Sequence, residues 1–373
     1  MNRESSHLPS SVQEPVEAVI NTIFEAARHG RLVVCAGAGL SRGMPTDLPN
    51  GADLGKRLDS RLKSLVRGYV SPSNPENLIA VADAGAGLEG GKTALRIEVL
   101  RLANFLAAEP NYGHRAVAEL LCEGCIQLLL LWNWDDCIER VDVTPERLQV
   151  ARSHRDLEDL EQPSIAKVHG CATRRSTLLI TSEDLTEPPY WTDNAFRERL
   201  RGTTSVFIGV GDIADYAQRR LEQLSKELAQ GAEGNGHPLD IWIVSPTIRA
   251  NWEASEWAKL VPDLPAERRV EMTADEFLDQ LARRWVREAI DDLERSAETA
   301  IVSSAGCAAG RRPSRSLSSA ASLSFSSTIS RLVRILRLIA SYRGSAVAKV
   351  WQKFCPRSAS ARRERPCFQG LWQ

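Results

Sequence analysis

Four short stretches of this chain place reactive side chains or glycine turns directly behind apolar runs. The first is Gly37-Ala38-Gly39-Leu40-Ser41, which follows Leu32-Val33-Val34-Cys35-Ala36 and continues through Gly43 and Pro45. A turn that takes a phosphate needs glycines, because a Cβ blocks close approach of the backbone. A helix starting there would aim free N–H groups and the positive end of its dipole at a pyrophosphate. Ser41 would add a hydroxyl donor. Alone, this arrangement is common. Arg42 stands where the six-residue dinucleotide fingerprint needs its third glycine, and the P-loop pattern is absent.

The second stretch is Leu131-Trp132-Asn133-Trp134-Asp135-Asp136-Cys137-Ile138-Glu139, the third Lys167-Val168-His169-Gly170, and the fourth Val206 to Asp212 with Gly209 and Gly211. An amide such as Asn133 both donates and accepts hydrogen bonds, so it suits the positioning of water or a sugar. His169 offers a proton acceptor with an ordinary pKa near neutrality. Each residue also has an ordinary structural role open to it. Asn favours strand ends and turns, and a histidine before a glycine is commonly a satisfied loop residue. Asp212 and Asp215 suit helix N-caps. Trp132 and Trp134 read as core or pocket wall, and His29, His114, His154 and His237 as structural or surface residues.

The elements that must hold these groups follow from hydrophobic spacing. Val16, Val19, Ile20, Ile23, Phe24 and Ala27 recur at helical intervals, with Gly30 as the stop. Leu32–Ala36 is a continuous apolar run, the pattern of a strand buried on both faces of a parallel sheet. Further strands are predicted at Ile126–Trp132, Ile165–Val168, Leu178–Thr181, Val206–Gly209, Ile241–Val244 and Arg269–Met272. Helices are predicted between most of them, including Asp193–Arg201, Tyr216–Gln230 and Ala274–Arg295. Alternating strands and helices indicate an α/β fold, a Rossmann-like, mostly parallel sheet flanked by helices. Residues 53–123 read as a helical insertion beside that sheet. Ligands of such sheets bind at the carboxyl ends of the strands, where all four stretches lie.

The chain has 373 residues, 43% hydrophobic and 25% charged, which is ordinary for a globular protein. Its net charge of −1 conceals an asymmetry: residues 301–373 carry 13 basic side chains and one acidic one. The organisation expected is a catalytic domain over 1–295, a Ser/Ala-rich linker over 296–328 and a basic amphipathic tail over 329–373. The tail suits an anionic membrane surface, a nucleic-acid backbone or an acidic protein partner, or serves as a basic extension without a specific one. Several of the eight cysteines, Cys35 and Cys137 among them, sit in apolar segments as reduced thiols do. With no secretory signal and no long apolar span, a cytoplasmic location is expected.

Taken in order, the four stretches resemble the sirtuin-like family over about residues 15–295. Gly37–Ser41 with Gly43 and Pro45 is similar to the family's NAD loop. Trp132-Asn133-Trp134-Asp135 with Glu139 looks like the Thr-Asn-Tyr-Asp segment of a bacterial branch. Lys167–Gly170 resembles Lys-Leu-His-Gly, whose histidine is catalytic, and Gly209-Val210-Gly211 stands where the family has a Gly-x-Ser turn near the ribose and phosphates. The resemblance implies that Gly37, Ala38, Gly39, Ser41, Pro45, Gly209 and Gly211 bind NAD, and that Asn133, His169 and Asp135 carry the chemistry. Asp135 would orient the nicotinamide amide or Asn133 itself.

Sirtuin deacylases carry two Cys-x-x-Cys pairs after the catalytic histidine. Here the only pair is Cys122–Cys125, before Asn133, so no structural zinc and no other metal is expected. Zinc-free relatives in this family include anti-phage effectors that hydrolyse NAD. The implied function is therefore an NAD glycohydrolase, with a protein deacylase or a non-catalytic NAD or ADP-ribose sensor as the alternatives. The oligomeric state, a homo-oligomer included, is left open.

Overall fold

In the computed structural model, the described residues are 10–141, 148–158, 164–186, 202–211 and 240–308, with a few single positions between them. The tail over 329–373 lies outside them. So do almost all of the helices predicted over 193–201 and 216–230, and the caps predicted at Asp212 and Asp215.

Seven strands form one sheet: β1 Leu32–Ala36, β2 Leu128–Leu131, β3 Gln149–Ala151, β4 Ser164–Lys167, β5 Thr204–Ile208, β6 Asp240–Val244 and β7 Arg269–Val270. The order is β3-β4-β2-β1-β5-β6-β7, and every pairing is parallel. From β1 the chain first builds leftward through β2, β3 and β4, then returns to β5 on the other side of β1. The order therefore reverses between β1 and β5, where open α/β sheets leave a crevice.

β1 is central, and all five of its residues are buried. Leu32, Val34 and Ala36 face one layer, with Ile23 and Phe24 of α1 (Ser10–Arg28), Val117 and Leu120 of α5 (Tyr112–Cys122) and Phe277 and Leu281 of α9 (Ala274–Ala308). Val33 and Cys35 face the opposite layer, with Trp132, Phe207, Trp252 and Trp257, the last in α8 (Glu256–Leu260). Each fully buried Leu, Ile or Phe contributes about 1.5–3 kcal/mol relative to exposure. That burial on both sides explains why the strand reads as an unbroken apolar run.

Within residues 53–123, α2 (Gly51–Leu65), α3 (Leu78–Ala84) and α4 (Gly91–Ala103) build a core of their own around Leu58, Leu62, Val81, Leu95 and Val99. Helix α5 instead packs on the sheet. The short helices α6 (His154–Glu158) and α7 (Ser182–Thr186) complete the set among the described residues.

Two expectations are corrected. Leu178–Thr181 is not a strand: Leu178 and Ile180 are buried against the helical core, and the Asp184 carboxylate takes the N–H groups of Ile180 and Thr181. An apolar run covered by helices needs no ladder when a capping side chain satisfies its backbone. Helix α9 also runs past Arg295 into the predicted linker, to Ala308. That stretch is rich in Ala and holds no proline, so nothing local stops the helix.

Candidate active site

The turns after β1 and β5 touch through their backbones. Gly37 N–H donates to the Ile208 carbonyl at 3.0 Å, and Gly39 N–H to the Gly209 carbonyl at 2.8 Å. A Cβ on Gly39 would come within 2.6 Å of Gly209 Cα. Gly209 also has φ +57, a region L side chains rarely enter. These glycines are thus needed first for turn-on-turn packing. The helix start expected behind Gly37 is only a 3₁₀ turn, Ala38–Ser41, and the N–H groups of Gly37, Gly39 and Leu40 are already bonded to protein carbonyls. The aligned dipole of a long helix is therefore missing here. Ala38 and Gly39 remain exposed, as does Gly211, where an added Cβ would meet nothing within 4 Å among the described residues. Pro45 is exposed too, in a segment whose base is held by Asn111: its Nδ2 donates to the carbonyls of Leu40 (2.8 Å) and Gly43 (3.2 Å).

Ser41 turns away from the exposed edge of the loop and is only 2% exposed. Its hydroxyl, read from the sequence as a donor for phosphate, gives its proton to Asp135 Oδ2 at 2.8 Å. Its oxygen accepts from Asn133 Nδ2, also at 2.8 Å. The third partner is His114 Nε2 at 3.0 Å. The N–H of Asn111 donates to His114 Nδ1 at 3.2 Å, which puts the proton of the neutral ring on Nε2, donating to Ser41. The hydroxyl therefore gives one hydrogen bond and receives two.

That pattern fixes the Asn133 amide. Since the single Ser41 proton goes to Asp135, the amide atom facing Ser41 must be nitrogen, and Oδ1 points elsewhere. Asn133 Oδ1 is buried and has no hydrogen-bond partner among the described residues. A buried acceptor left unmatched costs about 1–3 kcal/mol. It is an acceptor held ready.

The charges beneath are matched. Burial opposes an ionised Asp135, but the His114 ring edge at 3.8 Å, Lys167, the Ser41 hydroxyl and the Cys137 N–H outweigh it and hold the carboxyl below its ordinary value. Burial drives His114 down to about 4, and Lys167 and Arg140 push it the same way against Asp135. Lys167 is fully buried and donates to the Asp135 carbonyl and to Glu139 Oε1 (3.2 Å), which also accepts from Arg152 (3.1 Å). It ties β4 to the loop that carries Asn133 and Asp135.

His169 lies just beyond the end of β4. Its carbonyl accepts from Trp134 Nε1 and from the Leu179 N–H, both at 3.1 Å. Gly170 has φ +90, and a Cβ there would overlap the Thr177 carbonyl. The His169 ring packs edge-on against Trp132, with centroids 6.3 Å apart. Residue 169 keeps part of its surface in solvent, but its Nε2 is shielded. Burial lowers the ring to about 3, well below the near-neutral value expected from the sequence.

The structure thus joins Ser41, Asn133 and Asp135 directly, and Gly37 and Gly39 with Gly209. His114 was missed. Its signal was Asn111-Tyr112-Gly113-His114, a capping residue followed three positions on by a polar side chain that returns to the cap N–H. His114, Asp135 and Cys137 also bring potential metal-ligand atoms within 4.8 Å of one another. All the His114 and Asp135 atoms concerned are already hydrogen-bonded, burial pushes the Cys137 thiol up, and Arg140 Nη2 stands 3.5 Å from its sulfur. That environment disfavours a cation.

Residues 128–260 match the family model of the SIR2-like domain. That span contains Asn133, Asp135, Lys167, His169, Gly209 and Gly211, and begins at β2, downstream of Gly37–Ser41 and His114. No curated protein matches the chain. Among solved structures, a mutant Sir2 homologue in complex with ADP-ribose is 17% identical, with 73% of this chain and 97% of that one covered and a TM-score of 0.41. A Sir2 homologue–NAD complex is also 17% identical, covering 76% and 96%, with a TM-score of 0.39. A structure from work on the mechanism and regulation of Sir2 enzymes is 15% identical, covering 70% and 94%, at 0.41.

Proposed function

We propose that this chain hydrolyses NAD at the bond between nicotinamide and ribose, giving nicotinamide and ADP-ribose. The observation that carries the reading is the buried, unpartnered Oδ1 of Asn133, with its amide locked by Ser41, Asp135 and His114. A fixed acceptor of this kind suits a water molecule or a ribose hydroxyl, and holding the reactants in place supplies much of the rate. As the C1′–N bond breaks, its electron pair leaves with nicotinamide and positive charge develops on the ribose. The water oxygen bonds to C1′, and its proton passes to His169, whose ring is neutral at physiological pH. The ionised Asp135 stands behind Asn133 through Ser41 and favours that developing charge. Gly37, Ala38, Gly39, Ser41, Pro45, Gly209 and Gly211 form the NAD-binding edge in this reading, with Ser41 acting through the network.

A non-catalytic sensor of NAD or ADP-ribose is the second reading, and what favours it is the low basicity of the His169 ring. Purified protein incubated with NAD, followed by chromatography, separates the two. Release of nicotinamide and ADP-ribose without any acyl-lysine peptide supports hydrolysis. Intact NAD together with measurable binding supports the sensor, and release only when an acyl-lysine peptide is added means a deacylase. NAD depletion as an anti-phage response extends the first reading. It is sunk if cells expressing the protein keep normal NAD levels during phage infection.

A further inference from the structure

Resting on the hydrolase reading, we propose that Trp132 determines which nucleophile attacks the ribose, by walling the space beside His169 so that water is accepted and larger alcohols are refused. Any acceptor must approach the His169 ring, because that ring takes its proton. One edge of this approach is the indole of Trp132, with ring centroids 6.3 Å apart and planes at 79°.

That wall has no room to retreat. Trp132 is stacked on Phe207 at 6.0 Å, and Phe207 packs edge-on against Trp257 at 4.8 Å. All three side chains are buried, and Trp257 belongs to a helix seated on the same face of the sheet. The backbone is pinned as well, since the Trp132 N–H donates to the Ala36 carbonyl at 3.0 Å. Close-packed interiors resist small displacements, so the indole acts as a fixed boundary rather than a hinged one. Trp132 also directly precedes Asn133, so the residue that bounds the acceptor and the residue that positions it share one rigid strand end.

The reaction balances with any hydroxyl acceptor. The acceptor oxygen bonds to C1′, the C1′–N electron pair leaves with nicotinamide, and the acceptor proton goes to His169. Water gives ADP-ribose, and an alcohol gives its O-alkyl derivative. Only the room beside His169 decides between them.

The test uses the full chain with NAD in buffer containing methanol, ethanol or 2-propanol, and mass spectrometry to measure the ratio of O-alkyl-ADP-ribose to ADP-ribose. Wild-type protein is expected to give ADP-ribose almost alone. Trp132→Ala is expected to raise the alkyl share about tenfold, the scale on which pocket shape discriminates by a small group, with the larger alcohols gaining most. Trp132→Phe, which keeps a ring in the wall, should remain near wild type. If Trp132→Ala does not fold, Trp132→Leu takes its place. Nicotinamide release with the same alkyl share in all variants overturns the role of Trp132 and leaves the hydrolase reading intact. No nicotinamide from the wild type overturns both.

Discussion

Two histidines, His114 fully buried and His169 partly exposed, stand in contrasting surroundings. His114 sits in a polar knot, with both ring nitrogens in hydrogen bonds that run through Ser41 to Asn133 and Asp135. His169 packs on Trp132, at the end of an aromatic ladder that continues through Phe207 to Trp257. Burial keeps both neutral at physiological pH, to about 4 and about 3. The same protonation state thus serves two purposes. In the knot, neutrality preserves the direction of a hydrogen-bond chain and so the pose of Asn133. On the aromatic side, it leaves an imidazole able to take a proton, while the apolar packing sets what reaches it.

The largest effect is expected from removing the reacting groups. His169→Ala is expected to lower NAD cleavage by about 10²–10⁴, the range of a positioned acid–base group, while NAD binding persists. Asn133→Ala should lose rate on the same scale, because its Oδ1 then presents nothing. Steady-state assays with separate kcat and KM, beside NAD binding by calorimetry, check both. Cleavage near wild type in either variant would break the division of labour.

The knot is expected to be the acid-sensitive half. The folded pKa of His114 lies below its ordinary 6.5, so the unfolded chain binds the extra proton first as pH falls. The stability tied to neutral His114 is therefore fully present above about pH 6.5 and is lost as pH falls toward 4. A shift of this size is worth about 3 kcal/mol. Protonation would also set an Nδ1–H against the Asn111 N–H, breaking both the helix cap and the tautomer. Urea unfolding across pH 4–7 measures the loss, and His114→Gln should flatten the curve in that interval while lowering its plateau. An unchanged slope in His114→Gln would assign the acid sensitivity to other groups.

Ser41→Ala sharpens the contrast at a smaller scale. It strands Asp135 Oδ2, the His114 Nε2–H and the Asn133 Nδ2 group at once. Each stranded buried group costs about 1–3 kcal/mol before relaxation, so the unfolding midpoint in denaturant should drop clearly. Freed to rotate, the Asn133 amide should also lose rate. Full activity at reduced stability would show that the knot only holds the fold.

Much of this was legible in the sequence because the strands are buried and short. Leu32–Ala36 and Leu128–Leu131 read as sheet from their unbroken apolar character, and the reactive residues follow those strand ends at once. β3 was not legible: Gln149–Ala151 is an edge strand only partly buried, without an apolar run to mark it. Leu178–Ile180 misled for the converse reason, since apolar character reports burial and not the partner that provides it. Within the site, Asn133 and Asp135 were visible as a pair, but the bond joining them passes through Ser41, 92 and 94 residues away in sequence. His114 was invisible as a site residue because its chemistry depends on a loop 73 positions distant. Local pattern marks the strand ends; only the assembled sheet shows which of them meet.

The glycines supply the finest test of what those meetings require. Gly39 and Gly211 both looked like residues kept small for a phosphate. A Cβ on Gly39 would meet the Gly209 backbone at 2.6 and 2.8 Å, and backbone has no side-chain freedom with which to yield. On Gly211 the same Cβ meets nothing within 4 Å among the described residues. Gly39→Ala should therefore separate the turns of β1 and β5 and cost about 1–3 kcal/mol in the manner of an overpacked contact. NAD affinity should fall with it. Gly211→Ala should leave the unfolding midpoint within about 0.5 kcal/mol of wild type, as for an unhindered surface change. Its effect on NAD binding then reads close approach by the ligand alone. A fall in affinity at unchanged stability would place the dinucleotide against Gly211, and no change would confine the glycine requirement to the contact between the two turns.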